Sequence, residues 1–171
     1  MQTEKWDILN GKGENTGRTA VRGNYLFKKG EYHLVVHIWI ISPDGDVLIQ
    51  RRSEDKKLMP GEWAATGGAA TAGEDSFSAA SRELFEELGI KSDRQTLRFI
   101  ARIKRRNSFL DIWTITADTP VSGLKLQKSE VSEAKWVDAK TLRRMIDEKT
   151  YHNYGDEYFS LVFDEIEKNR G

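Results

Sequence analysis

Gly68 to Ile90 reads GAATAGEDSFSAASRELFEELGI, and the reading of this stretch decides the reading of the whole chain. Its second half has the periodicity of an amphipathic helix. Glu83, Glu86 and Glu87 are spaced i, i+3, i+4 and so share one face. At about 100° per residue they fall within a wedge of roughly 100°. Phe77, Ala80, Leu84 and Leu88 occupy a second arc, centred roughly 110° away. One side can therefore enter a core while the other presents clustered negative charge. Gly89, directly after Leu88, stands where a helix stop is expected. Like charges at i, i+4 repel by a few tenths of a kcal/mol, so a counter-charge is expected. A hard divalent cation is the simplest one, because Mg²⁺ takes oxygen ligands and bridges carboxylates to substrate phosphates.

A Glu-rich helix face is by itself an ordinary solvated surface. Here the surrounding residues stand at fixed offsets: Gly68, five residues, Glu74, seven residues, then Arg82-Glu83-Leu84-Phe85-Glu86-Glu87-Leu88-Gly89-Ile90. This order resembles the box of the Nudix hydrolase family at every defined position. The resemblance implies an α/β fold, an α/β/α sandwich around a central mixed sheet. It also implies hydrolysis of a diphosphate linkage with Mg²⁺, or Mn²⁺, as cofactor. A catalytically inactive ligand-binding or RNA-binding module of the same fold is the alternative. Such modules usually lose box carboxylates, and this chain keeps them all.

The composition excludes several other classes. Lys plus Arg and Asp plus Glu number 27 each, so net charge gives no prompt for a nucleic-acid or membrane partner. With no cysteine there is no disulfide, thiolate metal site or cysteine nucleophile. The opening MQTEKWDILN lacks the pattern of a secretion signal, and no apolar run approaches the roughly 20 residues of a membrane span. A cytoplasmic protein is the expectation. The 171 residues contain no repeat and no linker, which predicts one domain over 1–171, with residues 1–30 as a hairpin extension.

Trp6 to Gly23, split by the turn-forming run NGKGENTG, predicts that N-terminal β-hairpin. The hairpin can cap its own domain or pair with a second copy, so a homodimer is open. HLVVHIWII (33–41) and VLIQRR (47–52) read as strands joined by a Pro-Asp-Gly turn. LRFIARIKR and FLDIWTITAD read as two more, with Lys135 to Val137 as a short one. Ala139 to Glu148 and Glu157 to Asn169 read as helices.

By the resemblance, Glu83, Glu86 and Glu87 are the metal-ligand set, with Gly67 adding its backbone carbonyl. Glu83 is also a candidate general base, a role that different glutamates fill within the family. Glu130 stands where some members carry a further ligand, and a plain loop glutamate is the alternative. Arg82 is expected to hold Glu74 or a neighbouring carboxylate in a forked hydrogen bond. Arg51, Arg52, Lys56 and Lys57 lie near where a small-molecule diphosphate would sit, suited to phosphate by fork and point charge, or else form a solvated loop. Trp63 either stacks on a substrate ring or enters the core. Arg102, Lys104, Arg105 and Arg106 read as a solvent-facing strand edge and turn.

A second resemblance covers about Thr3 to Glu74 and is to isopentenyl diphosphate isomerase, a relative of the same fold. It rests on Trp6-Asp7-Ile8-Leu9, Thr16-Gly17, His33-Leu34, Gln50-Arg51-Arg52-Ser53, Lys56-Lys57 and Pro60-Gly61-x-Trp63. Arg52 and Lys56 match positions that grip the diphosphate there, and His33 matches a metal histidine. The isomerase requires a catalytic cysteine and a further histidine after the tryptophan, where this chain has Ala64-Ala65-Thr66-Gly67. Isomerase chemistry is not expected.

Overall fold

Every strand that matters for function leans on one nine-residue run, His33–Ile41, whose β-branched residues favour extended backbone. The computed structural model describes residues 3–171. In chain order the elements are β1 (Lys5–Leu9), β2 (Asn15–Val21), β3 (His33–Ile41), β4 (Val47–Arg52), β5 (Trp63–Ala64), β6 (Thr66–Ala69) and α1 (Ser76–Leu88). They continue with β7 (Leu97–Lys104), β8 (Ser108–Thr116), β9 (Val131–Val137), α2 (Ala139–Asp147) and α3 (Asp156–Asn169).

β3 is the spine of a seven-stranded mixed sheet. One edge runs parallel to β8 over the whole of His33–Ile41. The other edge is shared, with Val35–Ile38 antiparallel to β6 and Ile40–Ile41 antiparallel to β4. β4 then pairs with β5 and β9, and β7 closes the far side on β8.

Alternation along the strands sorts the core into two layers. Val36, Ile38, Ile40 and Leu48 pack with Ala79, Ala80, Leu84 and Leu88 of α1. Trp39, Ile41, Val47, Ile49, Leu110 and Ile112 pack with Leu142, Tyr158, Val162 and Ile166 of α2 and α3. This is the expected α/β/α sandwich. β1 and β2 form the expected separate hairpin, bridged to the sheet at Leu9–Tyr32. It is also tied to the loop before α1, where Ala72 N–H donates to the Lys5 carbonyl at 2.7 Å and Gly73 N–H to Asp7 at 2.8 Å.

Both ends of α1 are marked in the sequence. Asp75 accepts from the Ser78 N–H at 2.7 Å as N-cap, and Gly89 takes the left-handed conformation at φ 74°, donating to the Phe85 carbonyl. The short strand expected at Lys135–Val137 begins earlier, at Val131, because its partner β4 extends the ladder. Among the described residues no helix is long and apolar enough to cross a membrane.

Candidate active site

The carboxylates of α1 do not share one environment. Leu84 and Leu88 draw the helix onto the sheet, and one turn of rotation away Glu87 is carried inward with them, to 3% exposure. Its Oε2 accepts from Gln50 Nε2 at 3.0 Å and from the Gly67 N–H at 3.2 Å. Burial, then the nearby charge of Glu83, pushes its pKa up to about 8. Glu83 is half-buried, and burial raises its pKa too, opposed by Arg82 and reinforced by Glu86 and Glu130. Glu86 stays exposed.

Arg82 binds this face together. Its Nε and Nη2 fork onto Glu74 at 2.7 and 3.0 Å, as the box predicts, while Nη1 reaches Glu83 at 2.9 Å and Glu86 at 3.2 Å. A further N–H donates to the Ala69 carbonyl at 3.2 Å, fixing helix to strand.

Strand β6 brings bare backbone against these side chains. A Cβ at Gly67 would meet the Val36 carbonyl at 2.0 Å, and one at Gly68 would meet a Glu83 oxygen at 2.5 Å. Only glycine permits both approaches.

The face opens into a cavity of about 810 Å³. Arg52, Lys56, Gly67, Arg82, Glu83, Glu86, Glu87 and Glu130 all line it, so one wall collects most of the candidates. Lys56 is ion-paired with Glu130, joining the β4–β5 loop to the residue just before β9. Arg52 spends one N–H on the Leu58 carbonyl, at 2.9 Å.

Arg51 and Trp63 are not on that wall. They face each other in the β4–β5 ladder, and directly paired residues share a face of the sheet. Trp63 packs against the α2–α3 layer, with Lys135 Nζ 4.3 Å from its ring centre. Arg51 donates to the Gly61 carbonyl at 2.8 Å. Trp63 thus takes the core position left open by its sequence, and Arg51 braces the loop rather than lining the cavity.

Spacing within the box does not reach four further residues. Gln50 bridges Glu87 and Thr66. His37, Arg105 and Tyr154, none of them on α1, also line the cavity. Arg105 corrects the reading of its segment as a solvent-facing edge, since the β7–β8 turn points it inward. Arg102 keeps to that reading: it stays exposed on the edge strand while its guanidinium forks onto the buried Asp111 at 2.6 and 2.8 Å. A polar residue inside an apolar strand, as at His37 and Gln50, is the signal that could have found two of the four.

The NUDIX domain profile matches residues 31–159. The chain belongs to the Nudix hydrolase family. An uncharacterized Nudix hydrolase of Listeria monocytogenes is 42% identical over 143 residues, covering 83% of this chain and 84% of that protein. An isopentenyl-diphosphate Delta-isomerase of Shigella flexneri is 29% identical over 155 residues, covering 86% and 84%. The isomerase likeness therefore runs well beyond Glu74. The structure of DR0079 from Deinococcus radiodurans superposes with a TM-score of 0.78 at 23% identity, covering 93% of this chain and 98% of that one, a likeness of fold.

Nudix hydrolases generally use divalent ions, and the donor chemistry here fits one. Every candidate ligand is an oxygen, as Mg²⁺ and Mn²⁺ prefer. Glu83 raises the proton affinity of buried Glu87, and Glu86 and Glu130 raise that of Glu83, a crowding of carboxylates that a cation would relieve. Among the described residues no three such side chains converge on one point, because Arg82 holds Glu83 and Glu86 while Glu87 turns to Gln50 and Gly67. Metal binding would exchange some of these hydrogen bonds for coordination.

Proposed function

We propose that this Nudix protein is a divalent-metal-dependent pyrophosphohydrolase, cleaving the phosphoanhydride of a nucleoside diphosphate derivative or a nucleotide. One observation carries the reading. On α1, Glu87 is buried and Glu83 half-buried beside a glycine-edged wall of an open cavity, an arrangement unfavourable for an isolated fold and suited to a hard cation.

In this reading Glu83, Glu86, Glu87 and Glu130, with the Gly67 carbonyl, hold Mg²⁺ or Mn²⁺. When bound, the ion supplies charge neutralisation for the phosphates and a lowered pKa for a water. Glu83 is placed to accept that proton, being buried enough to raise its basicity yet open to the cavity. Arg82 acts on the carboxylates, holding Glu74 and Glu83 in register, and does not need to touch substrate. Arg52 and Lys56 hold the diphosphate, Lys56 with part of its charge already met by Glu130. Residues 1–171 act as one domain, in which the 1–30 extension contributes Trp6 and Arg22 to the cavity wall.

The test is phosphate release from a panel of nucleoside diphosphate derivatives. Turnover is expected with Mg²⁺ or Mn²⁺, is expected to vanish with excess chelator, and is expected to return when the ion is restored. Full turnover under chelation would overturn the proposal.

A further inference from the structure

The cavity's cations are not equally committed. Five Arg and Lys side chains line it: Arg22, Arg52, Lys56, Arg82 and Arg105. Arg22 is paired with Glu4 at 2.7 Å, Lys56 with Glu130, and Arg82 with three glutamates of the box region. Among the described residues Arg52 and Arg105 have no carboxylate partner in the cavity. Arg52 keeps its Nη fork free, and the Arg105 guanidinium makes no hydrogen bond.

The neutral groups beside these two arginines are left as donors. Trp39 Nε1 donates to the Tyr158 hydroxyl at 2.8 Å, and that hydroxyl lies 2.9 Å from His37 Nδ1. Tyr158 has no other acceptor among the described residues, so its proton belongs on the His37 bond. That assigns His37 Nδ1 as acceptor and leaves Nε2 carrying hydrogen. His37 is a wall of the cavity, and Nε2 makes no hydrogen bond within the described chain. Arg105 and Arg52 both lie within electrostatic reach of the ring.

Tyr154 stands edge-on to His37, ring centres 4.9 Å apart. Its oxygen accepts the Ala65 N–H at 3.2 Å, and its own proton has no partner among the described residues. Asn153 spends its side-chain oxygen on the Gly155 N–H at 2.8 Å, leaving its NH₂.

This end of the cavity therefore offers donors and positive charge, and the α1 end offers carboxylates. A nucleobase or sugar carries donors of its own, for which this wall has few acceptors, the ring of His152 with its Nδ1 on Glu62 among them. A terminal phosphate carries only acceptor oxygens and up to two negative charges, and two free guanidinium groups suit it.

We propose that Arg105, His37 and Tyr154, with Arg52, form a subsite for a terminal, unesterified phosphate, so that the preferred substrates end in a free phosphate instead of bridging two organic groups. The substrate-class part of this inference rests on the pyrophosphohydrolase reading, while the phosphate subsite can be read without turnover.

The experiment has two arms. In the first, inorganic phosphate is titrated by calorimetry into metal-free wild type, Arg105→Ala and Tyr154→Phe. With no metal at the carboxylates, those glutamates repel phosphate, so binding reports the donor end. Arg105→Ala should weaken it about tenfold or more, the scale of losing a charged hydrogen bond, and Tyr154→Phe by a smaller factor. The Arg105 side chain makes no hydrogen bond or ion pair among the described residues, so its removal should leave the thermal transition in place. Equal phosphate affinity in wild type and Arg105→Ala, or no phosphate binding by wild type, overturns the subsite.

In the second arm, methyl diphosphate and P1,P2-dimethyl diphosphate are compared as substrates with Mg²⁺. The free-ended compound should have the higher kcat/KM by at least about tenfold, and Arg105→Ala should shrink that ratio. Equal kcat/KM for the two compounds overturns the substrate class. If no phosphoanhydride of any kind is hydrolysed, the hydrolase reading falls, and the phosphate titration decides the subsite alone.

Discussion

The two ends of the cavity are built on opposite plans. At the α1 end each charged group is already answered within the fold: Arg82 ties Glu74, Glu83 and Glu86, while Gln50 and the Gly67 N–H fix Glu87. At the other end Arg52 and Arg105 carry charge that no carboxylate lining the cavity meets. The acidic end is braced at the cost of burying like charges, and the basic end is left unmatched until something anionic arrives. The difference separates two kinds of task. Groups held in fixed positions suit a reacting centre, where preorganisation sets the rate. Unmatched cations suit ground-state capture, where charge sets affinity.

The largest expected effect tests the braced end. Glu87→Gln keeps size and a hydrogen-bonding group but removes the charge that a cation would need. The value of kcat should fall by at least about 10²-fold, the scale of losing a catalytic group, with KM changed far less. A folded variant with near wild-type kcat would make Glu87 a structural carboxylate and erase the contrast.

A smaller effect grades the cations. Arg52→Ala should raise KM by about 10- to 150-fold, the range for a truncated charged hydrogen bond, and leave kcat close to its starting value. Lys56→Ala should cost less, because Glu130 already meets much of the lysine charge and the variant frees that glutamate for the metal. Steady-state kinetics of the two variants side by side decides the ranking. If Lys56→Ala raises KM more than Arg52→Ala, ion pairing within the cavity is a poor guide to which cation binds substrate.

How much of this was legible depends on the range of the interactions. The box was readable because helix, cap, carboxylate face and stop are all local, set by residues within one or two turns. β3 and β4 were readable from β-branched, mainly apolar stretches joined by a turn signal. β5 and β6 were not, since WA and TGGA have no strand character of their own and are extended only because β4 and β3 pair with them. The same limit explains Arg105, whose inward direction depends on where the β7–β8 turn falls. Arg51 and Arg52 are the instructive pair. They looked equivalent in a basic loop, yet the ladder to β9 shifts register between them, and only Arg52 lines the cavity while Arg51 stays paired with Trp63. Burial of Glu87, on a face read as presenting clustered charge clear of the core, depends on how α1 seats on the sheet, which no spacing rule contains.

The smallest effect is a matter of pH and needs no substrate. Glu87 has a pKa near 8 in the fold against 4.5 for an unperturbed glutamate. Below 4.5 it is protonated in folded and unfolded chains alike, so it contributes no pH dependence there. Between 4.5 and 8 the unfolded chain gives up the proton and the folded one keeps it, so stability falls as pH rises. Above 8 the curve levels. Glu83, also raised by burial, adds to the same slope. The histidines oppose it over part of the range. His33 and His37 are held down to about 4 and about 3 against an ordinary 6.5, so each favours the fold increasingly as pH rises toward 6.5. From about 6.5 to 8 both are neutral in either state, and Glu87 carries the slope. The melting temperature of the metal-free protein should therefore decline across that interval, and the decline should be shallower in Glu87→Gln. Saturating Mg²⁺ should flatten it in the wild type, because the ion favours the charged carboxylate that burial disfavours. A wild-type slope that is unchanged by the substitution would show that the acidic end carries no strain for a cation to relieve.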